Sequence, residues 1–172
     1  MSGKSFNDFV LKEEVSEDII KSYKGKVPDD ILEIWENYGF GSILNGYLKI
    51  INPDEFQQNL KDVYLRNGDA IALFATSMGD IIVWEKNRYL NLLNFRKKTV
   101  SVISAGFDFF LEDLDDESFL DEELDWNPYP EAVNKYGQPA FNECFGYVPL
   151  LGLGGPEKVE NLSKVNLLNI FI

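Results

Sequence analysis

An α+β fold is predicted, with N-terminal helices, a central antiparallel meander sheet and a helical, loop-rich C-terminal part packed on it. The prediction rests on a change of period along the chain. Up to about Leu60, apolar residues recur at helical spacing between capping residues; from Ala70 to Val102 they fall in short β-rich runs separated by turn residues. No low-complexity linker or internal repeat interrupts the 172 residues, so two parts, 6–105 and 106–172, are expected to pack as one compact unit meeting near Gly106.

The elements follow in order. Ser16 can cap a short helix whose first turn carries Glu17 and Asp18, favourable at the positive end of the macrodipole, and Gly25 lies just past its end. In "VPDDILEIWENYGFG", Pro28 leads a second helix, Ile31, Ile34, Trp35 and Tyr38 form its apolar stripe, and Gly39 supplies a left-handed stop. "GYLKI" reads as a strand. Asn52, Pro53 and Glu55 then stand as N-cap, first-turn proline and N3 acid of a third helix reaching about Leu60. "AIALFAT", "DIIVWEK", "RYLNLLNF" and "TVSVIS" give four strands of a meander. In "FDFFLEDL", Phe107, Phe110, Leu111 and Leu114 share one helical face, and a last helix spans Pro130 to Tyr136, ending at Gly137.

Composition removes whole classes of function. The net charge of −13 repels phosphate backbones and anionic lipid surfaces, so nucleic acid and membranes are not expected as partners. The same field attracts cationic protein surfaces, or serves only to keep the chain soluble. No stretch approaches the roughly 18 apolar residues of a membrane helix, the N-terminus lacks a signal-peptide core, and the single cysteine fits a reducing cytoplasm. With no histidine, His-based triads and His-dependent metal signatures are excluded.

The remaining motifs are better read as structure. Cys144 in "NECFG" has no base nearby in sequence and is expected to be a buried structural thiol. "SGKS" at Ser2–Ser5 imitates the end of a phosphate loop without the strand and glycine that must precede it. In "LLGLGG", Gly152 and Gly154 are spaced G-x-G, but Glu157 occupies the third glycine position, leaving a tight structural loop.

The most unusual stretch is "EDLDDESFLDEELD", Glu112 to Asp125, with nine carboxylates in fourteen residues and no Lys or Arg. An EF-hand counted from Asp113 fails at positions six and twelve, where Ser118 and Leu124 stand. A glycosidase-like acid pair belongs in a cleft rather than on a crowded run. A solvated face and a protein-binding face over a few apolar anchors remain the two main readings. The candidate contact residues are Glu112, Asp113, Asp115, Asp116, Glu117, Phe119, Asp121, Glu122, Glu123 and Asp125, with the "GYVPLLGLGG" loop and the chain end as the next place to seek an interface.

"YKGKVPDDILEIWENYGFGSILNGYLKIINPDEF" and "FATSMGDIIVWE" resemble the GAD-like domain family, and "GFDFFLEDL" with "YPEAVNKYGQPAFNECFGYVPLLGLGGPEKVENLSKV" resembles the C-terminal domain of type VI secretion immunity proteins. The likeness runs from about Phe6 to the end. It implies a non-catalytic, cytoplasmic bacterial protein that binds and neutralises a cognate toxin, a DNase effector, without cofactor or metal. It weights the acidic run toward a partner-binding face, because nucleases are basic. The resemblance also leaves open a small-ligand or accessory-binding module, and a carboxylate-based hydrolase is the remaining alternative. Relatives continue into a further helix, so the apolar residues up to Ile172 are expected to leave an exposed apolar end.

Overall fold

Seven strands follow one another in chain order through a single antiparallel sheet: β1 (Val10–Glu13), β2 (Phe40–Ile43), β3 (Leu48–Ile50), β4 (Ile71–Thr76), β5 (Ile81–Glu85), β6 (Tyr89–Asn94) and β7 (Thr99–Ala105). The computed structural model describes residues 4–64 and 69–171; Ser2 and Gly3 of "SGKS" lie outside them. Strands β4–β7 are the expected meander, and "GYLKI" supplies β3. The sheet is larger than expected because β1 and β2 carry no ordinary strand signal. All four residues of β1 are exposed, so no alternation marks it, and β2 contains Gly41. That glycine lets the two strands meet, since a Cβ there would lie 2.2 Å from the Val10 carbonyl oxygen.

Helices α1 (Glu17–Tyr23), α2 (Asp29–Asn37) and α3 (Pro53–Val63) form where their caps were expected. Ser16 Oγ accepts from the Ile19 amide, and the Asn52 side chain from the Asp54 amide. Downstream lie α4 (Phe110–Asp113), α5 (Glu117–Leu124) and α6 (Pro128–Tyr136). A ribbon, β8 (Glu143–Tyr147) with β9 (Leu162–Asn166), adds two strands to the helical, loop-rich C-terminal part.

Central strands are buried on both faces, so β5 reads as a continuous apolar run. Ile82 and Trp84 join the larger core with α1, α2 and α4–α6, while Ile81 and Val83 join a smaller one under α3. The larger core includes Trp35, 1% exposed and edge-on to Tyr23 and Phe40, together with Phe110, Leu120 and Phe145. Residues on either side of Gly106 therefore share one interior.

Specific hydrogen bonds fix the C-terminal part on the sheet. Tyr47 Oη donates to the Leu124 carbonyl (2.6 Å), Tyr129 Oη to that of Asn45 (2.7 Å), and buried Lys49 Nζ to those of Ala140 (3.1 Å) and Glu143. The chain end departs from expectation. Leu167 is buried, and the Phe171 ring packs 5.4 Å from Phe95 and 6.3 Å from Phe56, so apolar residues that looked exposed in the sequence complete the smaller core. Leu168 alone among the large apolar residues of 167–171 remains well exposed, at 42%.

Candidate partner-binding site

The acidic run forms two short helices joined by a break rather than one. Phe110, Leu111 and Leu114 point into the core from the α4 segment, and Leu120 and Leu124 from α5. Asp116 is the N-cap of α5, accepting from the Ser118 amide at 3.0 Å. Burying these leucines turns the acids outward: Glu112, Asp115, Asp116, Glu117, Asp121 and Glu122 are exposed, and Asp113 and Glu123 are half-buried. None of these eight has an ion-pair partner among the described residues, although Asp115 accepts from the Lys4 amide at 3.2 Å. Phe119 is half-buried, edge-on to Phe110 at 6.2 Å, and so partly committed to the core.

Asp125 differs from the other nine. It ends α5 in a left-handed conformation (φ 53°) and enters a charged network. Asp80, fully buried at the β4–β5 turn, takes two contacts from Arg96, with Nη2 to Oδ2 at 2.6 Å and Nε to Oδ1 at 3.3 Å. Arg96 Nη1 lies 3.3 Å from Asp125 Oδ2, and Lys97 Nζ links that oxygen (2.9 Å) to Glu157 (3.4 Å). Burial raises the Asp80 carboxyl above its ordinary value even with Arg96 opposing it. Burial also acts to raise Asp125, but Arg96 and Lys97 outweigh it and hold that carboxyl below its ordinary value. The network ties the end of α5 to the β6–β7 turn and to the loop carrying Glu157. Asp80, Arg96 and Lys97 were not singled out by sequence reasoning, and Glu157 was noted only as a break in the G-x-G pattern; the "RKK" triplet in so acidic a chain was the available signal.

Beside this network lies a cleft of about 500 Å³. Met78, Phe95, Tyr147 and Ile170 line it with Leu150 and Leu151 of the 148–153 loop. The loop holds its apolar side chains out, with Val148 57%, Leu150 60% and Leu153 79% exposed. It is internally bonded: the Leu153 and Gly155 amides both donate to the Leu150 carbonyl, and a Cβ on Gly155 would meet the Pro149 oxygen at 2.2 Å. Of the G-x-G pair, Gly154 takes the left-handed position of this turn (φ 86°), while Gly152 is not sterically required.

Cys144 is 1% exposed at the cleft floor, and burial pushes its thiol up to about 11, which leaves almost no thiolate at neutral pH. Among the described residues no group of three or more Cys, Asp or Glu is placed to hold a metal ion. Nor is any described helix long and apolar enough to cross a membrane. A second, more polar cleft of about 590 Å³ lies among Tyr23, Lys26, Gln57, Trp84 and Asn87.

Two family models cover most of the chain. Residues 4–94 match the GAD-like domain, and residues 104–171 match the family described as T6SS immunity protein Tdi1, C-terminal. The crystal structure of Atu4351 from Agrobacterium tumefaciens superimposes with a TM-score of 0.80 at 19% identity, covering 99% of this chain and 86% of that one, a likeness of fold. No curated protein matches the chain.

Proposed function

We propose, from the premise that the chain belongs to the GAD-like domain family and carries a type VI secretion immunity domain in its C-terminal part, that it binds and neutralises a cognate toxin, a basic nuclease, in the cytoplasm of the cell that makes it. The observation that carries this reading is the set of outward carboxylates on α4 and α5. They lie inside the immunity-domain match and have no cationic ion-pair partner among the described residues. A nuclease presents a cationic groove to phosphate, and an inhibitor that occupies it benefits from displaying carboxylates there. The overall negative field adds to the encounter rate at low salt.

The role needs no catalysis. Cys144 is closed off as a protonated thiol, and Asp80, the carboxyl raised by burial, is sealed from solvent and clamped by Arg96. The test is co-expression with a secreted type VI nuclease effector, any effector gene adjacent to this chain's own being tried first. Growth and intact chromosomal DNA are expected with the wild-type chain, and DNA degradation without it. Degradation that proceeds equally in its presence would remove the immunity reading. The polar cleft around Gln57 and Trp84 is where the alternative, a small-ligand module, would act, and protection without any measurable toxin complex would favour it.

A further inference from the structure

We infer that the bound toxin is anchored by an apolar or aromatic side chain, flanked by Lys or Arg, inserted into the cleft beside the 148–153 loop. The acidic helices then act as the steering rim. This rests on the toxin-binding reading and assigns its affinity to residues outside the acidic run.

Three observations carry it. Val148, Leu150 and Leu153 are held out to solvent on a loop whose backbone is bonded within itself, so their exposure is built in. Such apolar surface beside a cleft of about 500 Å³ marks a contact site. Its surroundings also select the occupant. Arg96 lines the cleft, and Lys98 Nζ reaches its mouth, 3.8 Å from where a Gly152 Cβ would sit; these cations disfavour a basic side chain inside. The flanking carboxylates are Asp125 and Glu157, both paired to cations, and through Asp125 the cleft adjoins α5. Lys97 Nζ bridges Asp125 at 2.9 Å and Glu157 at 3.4 Å, which brings the end of acidic α5 alongside the loop. An apolar centre that adjoins an acidic helix on one side is complementary to an apolar protrusion with basic residues beside it. It is also how interface energy is usually distributed, with desolvated anchors inside a charged rim.

The test is biosensor kinetics with the purified toxin domain against which co-expression shows protection, on wild type, a Leu150→Asp/Leu153→Asp double variant and Gly152→Trp. Both leucines are exposed, and Gly152 has room for a side chain at the mouth, so melting temperatures are expected to stay at the wild-type value. The double variant is expected to weaken Kd roughly 30-fold or more through k_off with k_on nearly unchanged, and Gly152→Trp to weaken it in the same way by blocking entry. Binding of both variants within about twofold of wild type overturns the inference and leaves the immunity reading standing. A wild-type dimer dissolved by the leucine changes, with toxin binding intact, overturns it too, since the patch would then serve a second copy. A wild-type chain that neither binds nor protects removes both.

Discussion

Trp35 and Arg96 show how differently two buried residues respond to substitution. Trp35 sits in the larger core between Tyr23 and Phe40, and its indole Nε1 has no hydrogen-bond partner among the described residues. Trp35→Ala should therefore cost about 3 to 5 kcal/mol of folding stability by urea denaturation. Trp35→Phe should cost clearly less, because it gives up volume but leaves behind no unpaired polar group. Equal losses for the two would mean that the indole N–H contributes after all. Arg96 poses an electrostatic problem. Its removal strands Asp80, fully buried, without its cation, so Arg96→Ala should cost about 3 to 5 kcal/mol. Asp125→Asn, at a half-exposed end of the same network, should cost about 1 kcal/mol or less, because solvent screens what is lost. A ranking of the two in the other order would place the weight of the network on Asp125.

Among the elements, those with local punctuation were legible in sequence: Ser16, Asn52, Pro28 and Gly39 announce α1, α3 and α2, and the alternation of turn signals announces β4–β7. Elements made by tertiary pairing were not. Strand β1 exposes every residue, β2 depends on Gly41 admitting the Val10 backbone, and the β8–β9 ribbon joins segments separated by a long loop. The acidic run was legible as an outward face, but not its break, where Asp116 caps α5 by accepting from the Ser118 amide, nor the inward lean of Phe119 onto Phe110. Asp125 was grouped with the solvated acids because its partners, Arg96 and Lys97, come from a turn almost thirty residues earlier in the chain. These details sharpen a prediction for α5. Glu117→Gln, Asp121→Asn and Glu122→Gln together spare the Asp116 cap and relieve like-charge repulsion between Glu117 and Asp121 one turn apart. Stability should stay within about 0.5 kcal/mol of wild type or rise slightly. Toxin association should slow several-fold at low salt and lose much of its ionic-strength dependence, with k_off little changed. An unaltered k_on at low ionic strength would leave the acidic face as solvated surface only.

Across the whole molecule, the joint between the sheet and the C-terminal part depends on a lysine held where water is nearly absent. Lys49 Nζ, on β3, reaches the Ala140 and Glu143 carbonyls, and Cys144 lies next in the chain. Burial lowers Lys49 from an ordinary value of 10.5 to about 8, against the attraction of Cys144 and Glu143. Burial raises Cys144 from 9.0 to about 11, with Lys49 opposing. The two shifts act on stability with opposite signs. Between pH 8 and 10.5 the unfolded chain keeps the Lys49 proton that the folded chain has lost, so stability rises with pH. Between pH 9 and 11 the folded chain keeps the Cys144 proton that the unfolded chain has lost, so stability falls. Wild-type stability should consequently climb by about 1 kcal/mol from pH 7.5 to 9 and then level off. Above about pH 10 it should decline, as burial keeps Tyr23, Tyr47, Tyr129 and Tyr147 protonated only in the folded state. Urea unfolding across this range, on wild type, Lys49→Met and Cys144→Ala, separates the contributions. Lys49→Met should lose the climb, whatever its baseline stability. Cys144→Ala should keep it and extend it toward pH 10, because the opposing thiol is gone. A wild-type profile flat from pH 7.5 to 9 and parallel to that of Lys49→Met would mean that the ammonium at this joint is hydrated, and that the two parts of the molecule are held together by packing and by the Tyr47 and Tyr129 hydroxyls instead.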